Sequence, residues 1–161
     1  MRRSYVRAAF GLALAAVVML FVGTALADHS SGYKVADGLT IYYAVIPAEM
    51  LRAYPEGSPE AKAHASIPRG KNAHHLMVAL FEGKSMERIT DAQVTARVRE
   101  TGLGWSKKRL EPMMLYNAST YCNFFTFDNH ALYTIVIDVR RPGSSAVVTT
   151  EFEYKRHCCQ P

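Results

Sequence analysis

Most of the marks that announce an enzyme are missing from this chain. There is no Gly-rich phosphate loop and no strained serine elbow, so nucleotide chemistry and the serine-hydrolase mechanism lose their usual signatures. Six histidines are present, but no two stand in the HExxH spacing that lets one helix face grip zinc. Catalysis is therefore not expected. No internal repeat appears, and beyond the first residues no run is long and apolar enough to cross a membrane.

Cysteine is scarce: Cys122, Cys158 and Cys159 are the only three. An odd number leaves at least one thiol unpaired or joined to another chain. Adjacent Cys158 and Cys159 are poorly placed to bridge each other, because a disulfide wants more separation between its Cα atoms. Cys122 could pair with one of them if the tail folds back. The favoured expectation is a buried Cys122 beside a reactive tail.

Excess charge is scarcer than the totals suggest. The chain carries 19 Lys and Arg against 14 Asp and Glu, a net +5. Arg2, Arg3 and Arg7 belong to a basic start followed by the apolar stretch Phe10 to Val22 and the small-residue ending Ala25-Leu26-Ala27. That pattern is a secretory signal peptide over 1–27, with cleavage expected before Asp28 and periplasmic localisation as the consequence. No Cys follows the apolar run, which argues against a lipid anchor. Without the leader, 16 basic residues face 14 acidic ones, a net +2. Nucleic-acid binding is not expected at that balance, and Lys107-Lys108-Arg109 reads as a solvated strand end. Residues 28–161 have the size of a single domain with no further membrane insertion.

What the chain does have is alternation. Apolar and polar residues alternate over Leu39 to Ile46, Val94 to Arg99, Tyr133 to Arg140 and Val148 to Tyr154, and an apolar run follows His75 to Phe81. Trp105 to Leu115 and the aromatic stretch Tyr121 to Phe127 complete the set. Turn residues separate these segments at Glu82 to Ser85, Gly102 to Gly104, Asp128 to His130 and Arg141 to Ser144. Residues 47–73, with four prolines, form a long excursion in which Ala61 to Ala65 could make a helical turn. The expected class is all-β, an immunoglobulin-like antiparallel β-sandwich of about seven strands.

Soft ligands sit on this framework. His74-His75-Leu76-Met77 opens one strand, and Pro112-Met113-Met114 closes another. In a regular strand His75 and Met77 face one side and His74 the other. Imidazole and thioether together suit a transition metal, copper above all. Each methionine taken alone would more often fill a core, and Tyr121, Phe124, Phe125 and Phe127 read as packing residues.

Taken in order, Asp37-Gly38-Leu39-Thr40, Glu49-Met50, His75-Leu76, Leu110-Glu111-Pro112-Met113, Tyr121, and Leu132-Tyr133-Thr134-Ile135 through Arg141-Pro142-Gly143 resemble the periplasmic iron-transport protein family. These are small β-sandwich proteins that accompany high-affinity ferrous-iron permeases. The resemblance implies an immunoglobulin-like fold, a homodimer, a copper or iron site, an inner-membrane iron permease as partner, and no enzymatic activity. Carried over position by position, it makes His75 and Met113 the leading ligands and brings Met50 near the metal. Met77 stands where the family has an acid, and Thr120 where it has a histidine. His74 and His130 are the candidates to replace that histidine. The set His75, Met77 and Met113, with Met50 or Met114, is softer than the family's and favours Cu(I) over Fe(II) or Mn(II), with Cu(II) left open. The competing expectation is a metal-free module that docks on a permease or another envelope partner.

Overall fold

The period-two pattern dictates which face of each strand is buried, and the pairing then follows. A computed structural model describes residues 32–55, 58, 67–115 and 118–156. Among these, eight strands form: β1 Tyr33–Ala36, β2 Leu39–Pro47, β3 Ala73–Glu82, β4 Gln93–Glu100, β5 Ser106–Leu115, β6 Ala118–Thr126, β7 Leu132–Arg140 and β8 Val147–Lys155. One short helix, α1 (Ala48–Leu51), follows β2. The signal peptide, the helical turn at Ala61 to Ala65, and Cys158 and Cys159 lie outside the described residues.

Every pairing is antiparallel, and the strand order is β1-β2-β3-β6-β5-β4-β7-β8. Without β1, the order splits into β2-β3-β6-β5 and β4-β7-β8. These are the ABED and CFG sheets of an immunoglobulin constant-type sandwich. The expected architecture is therefore present with one extra strand at its edge. Asp37 and Gly38, both at positive φ, form the two-residue turn that pairs this strand with β2. Such a turn needs left-handed backbone at both positions, which Asp-Gly supplies at little cost.

β5 joins the two layers. Its first half pairs with β4 from Ser106 to Leu110, and its second half pairs with β6 from Glu111 to Leu115. A strand that changes sheets in this way makes the corner of a sandwich. Pro112 falls in the second half, where β5 has a partner on one side and an open edge on the other, the setting in which a strand tolerates a missing N–H.

Inside the sandwich, Leu39 and Ile41 of β2 meet Leu76, Val78 and Leu80 of β3, with Tyr121 and Phe125 of β6 beside them. Val94, Ala96 and Val98, with Ile135, Ile137, Val139 and Phe152, supply the opposite layer. Each fully buried aliphatic or aromatic side chain contributes roughly 1.5–3 kcal/mol relative to exposure. Tyr133, at the start of β7, accepts a hydrogen bond from the Asp128 backbone N–H at 2.6 Å and donates to Glu100 Oε2 at 3.1 Å. It is the tyrosine corner of the fold.

The excursion expected over 47–73 opens with helix rather than coil. Pro47, at φ −56°, sets the start, and Ala48 and Leu51, one turn apart, bury their side chains. α1 packs on β2 and β3. Arg52 then donates to the Pro68 carbonyl at 2.6 Å, holding the two ends of the excursion together.

Candidate metal centre

Residues paired across an antiparallel ladder share a face, so the register decides which candidate ligands meet. Ile46, His75 and Phe124 lie in one cross-strand row of β2, β3 and β6. Ala44, Met77, Cys122 and Glu111 lie in the next, which reaches β5. Met113, paired with Thr120, follows two residues further along β5. All stand on the face turned away from the core of Leu76, Val78 and Leu80. His75, Met77 and Met113 therefore occupy one surface of one sheet, as strand geometry requires of the first two.

His75 is only 1% exposed although it lies on this outer face. Ile46 flanks it, and its ring packs on Phe124 with centroids 4.8 Å apart. Met77 and Met113 are half-buried. The family-derived histidine position, Thr120, is buried and its hydroxyl donates to the Met113 carbonyl at 3.4 Å. Thr120 thus steadies the backbone beside Met113 without offering an imidazole.

His74 points the other way. It stands with Pro47 and Phe125 in register, its Nδ1 donates to the Asn72 carbonyl at 2.8 Å, and its ring meets Phe127 edge-on. Burial lowers its pKa, with the Asn72 hydrogen bond opposing that shift. His130 sits exposed in the turn after β6 at positive φ. Neither histidine is brought to the Met77–Met113 face, so neither replaces the ligand absent at Thr120. Met50 is 60% exposed on α1, which begins next to Pro47, the partner of His74. Met113 approaches the sheet from beyond the Val78 level, at the far end of the same ladder. Met114 is exposed and paired with Ser119, on the face opposite to Met113.

Cys122 is the residue that the sequence did not single out as a ligand. It carries a free thiol and is only 4% exposed. Its Sγ lies 3.8 Å from Met113 Sδ and 3.7 Å from the Glu111 carbonyl oxygen. Burial, and then the Glu111 charge, push its pKa up to about 11. The signal that could have found it is the spacing to Met113 across a tight β5–β6 hairpin, which places positions 113 and 122 in neighbouring rows of one face.

The donors gathered here are imidazole, thioether and thiol. That chemistry fits a soft ion such as Cu(I) and suits Fe(II) or Mn(II) poorly. Among the described residues, no group of three His, Cys, Asp or Glu comes together to hold a metal ion, so a site here must draw on methionine. Among the same residues, no helix is long and apolar enough to cross a membrane.

The fold recurs in solved structures. A DUF4426 family protein from Pseudomonas aeruginosa PAO1 is 19% identical with a TM-score of 0.59, the match covering 81% of this chain and 98% of that one. A copper-bound variant of FetP from uropathogenic Escherichia coli strain F11 is 11% identical with a TM-score of 0.57, covering 79% and 95%. A copper-bound variant of P19 from Campylobacter jejuni is 11% identical with a TM-score of 0.56, covering 79% and 94%. At such identities the likeness is one of fold. No family model matches the chain, and no curated protein does.

Proposed function

We propose that this protein is an exported, non-enzymatic copper-binding protein of the periplasm that assists metal uptake. The observation that carries the reading is the placement of His75, Met77 and Met113 on one outer face of a sandwich that also occurs in copper-bound FetP and P19. Imidazole and thioethers on a rigid sheet hold a soft ion without a large rearrangement. Iron uptake as the wider role, a homodimer as the working form and an inner-membrane iron permease as the partner come from the family resemblance and complete the proposal.

Titration of the purified protein with Cu(I), Cu(II) and Fe(II) tests it. One equivalent of copper should bind, with Cu(I) tighter than Cu(II) and Fe(II) weakest. The double variant His75→Ala/Met113→Ala should lose that equivalent. No stoichiometric binding, or binding unchanged in the double variant, would leave the metal-free docking module as the better reading.

A further inference from the structure

We propose that Cys122 is a direct ligand of the copper ion, completing with Met77, Met113 and His75 a sulfur-rich site selective for Cu(I). This rests on the copper reading above and deepens it by naming the anionic donor.

Three observations converge on that residue. The first is spacing. A closed-shell ion held ~2.3 Å from each of two sulfurs, at angles between tetrahedral and trigonal, sets those sulfurs about 3.8–4.0 Å apart. Cys122 Sγ and Met113 Sδ are 3.8 Å apart. The second is register. Met77 is the direct partner of Cys122 in the β3–β6 pair, which places its Cβ about 5 Å away on the same face. Its flexible thioether arm spans the remaining gap without a backbone shift. His75 is one step along the same face of β3.

The third is charge. Two half-buried thioethers and a neutral imidazole leave a monovalent cation uncompensated beside His75 and Cys122, which are almost wholly buried, and such a charge is costly unless paired. A thiolate at Cys122 makes the ion and its ligands neutral together. The thiol's present acceptors, a thioether sulfur and a backbone carbonyl at 3.7–3.8 Å, are weak, so little is lost when the S–H is exchanged for S–Cu. The bond formed is Cys122 Sγ–Cu, the bond broken is S–H, and the proton leaves to water. No electron changes hands.

The full-length protein carrying Cys158→Ser and Cys159→Ser tests this, because no other thiol then competes. Cu(I), kept reduced with ascorbate, is titrated against the chromophoric chelator bicinchoninate. One Cu(I) should bind, with a near-ultraviolet thiolate-to-copper absorption and one proton released. Cys122→Ser and Cys122→Ala should abolish that absorption and weaken binding by more than the ~10–100-fold that outer-shell partners cost. Copper-edge X-ray absorption on the protein that keeps Cys122 gives a readout independent of how those variants fold, and should count three sulfur ligands. One Cu(I) bound with no thiolate absorption and only two sulfurs would overturn the assignment of Cys122 while the copper reading stood. No Cu(I) bound at all would overturn both.

Discussion

Met77 of β3 and Cys122 of β6 stand directly opposite each other, on the sheet face turned away from the core. Met113 closes on the same thiol from β5. Three sulfur residues from three strands thus meet on one surface, and the first prediction concerns the thiol itself. Its pKa, pushed up to about 11 by burial and by Glu111, leaves roughly one thiolate in a thousand at pH 8, and the thiolate is the reactive form. In the Cys158→Ser/Cys159→Ser background, iodoacetamide should label Cys122 far more slowly in the native protein than in denaturant, as read by mass spectrometry. Equal rates in the two states would contradict a buried thiol.

Replacing Met77 with an acid, the residue type that the resemblance places at this position, should harden the site. Met77→Glu is expected to weaken Cu(I) binding at least tenfold and to strengthen Cu(II), because carboxylate prefers the harder ion. Competition titrations of both oxidation states read the change. An unaltered Cu(I)-to-Cu(II) preference would remove Met77 from the ligand set.

Tyr133→Phe keeps the ring and deletes one hydroxyl that serves both the Asp128 N–H and the Glu100 carboxylate. The expected cost is ~1–2 kcal/mol, which in a domain of this size lowers Tm by roughly 3–6 °C per kcal/mol. Calorimetry showing no loss would mean that the tyrosine corner is dispensable here.

Gly83 backs onto the β1–β2 hairpin, its N–H donating to the Gly38 carbonyl at 2.7 Å. A Cβ at Gly83 would lie 2.8 Å from that same oxygen. Backbone meets backbone, so relief requires the hairpin to move. Gly83→Ala should therefore destabilise the protein by about 1–3 kcal/mol in a urea titration, and more than Gly104→Ala, where a Cβ meets nothing within 4 Å.

His74 couples stability to acid. Burial lowers its pKa in the folded chain, while an unfolded histidine titrates near ~6.5. The unfolded state therefore takes up the proton first. The contribution of this group is complete above pH ~6.5 and is lost as pH falls below it. Unfolding free energies measured between pH 7 and 5 should decline less steeply in His74→Gln than in the parent protein. Identical slopes would mean that His74 is not the group responsible.

Strand positions were legible in the sequence wherever one face of the strand is wet. β7 and β8 keep Tyr133, Ile135, Ile137, Val139, Thr150 and Phe152 inside, with Glu151 and Glu153 outside, because a period of two maps directly onto the two faces of a sheet. β1 was not legible in this way. Its Tyr33, Lys34 and Val35 are all exposed, so no alternation marks it, although the Asp37-Gly38 turn beside it carries the hairpin signal. α1 escaped notice because one turn of helix gives too few residues for a period to show, and tertiary packing of Ala48 and Leu51 holds it in place.

By itself, the sequence determined that His75 and Met77 share a face and that His74 does not, since neighbouring side chains on a strand must alternate. It also determined the all-β class and the softness of the donors. Only the tertiary structure decided which residues from other strands join them. The β3–β6 pairing is long-range, set by burial of Leu76, Val78 and Tyr121 together rather than by any local motif. That pairing set Met77 opposite Cys122, while the local β5–β6 hairpin put Met113 beside the same thiol. It also left Met50 and His130 at the other end of the sheet, because the hydrophobic register that fills the core fixes, on the outer face, which side chains stand opposite one another.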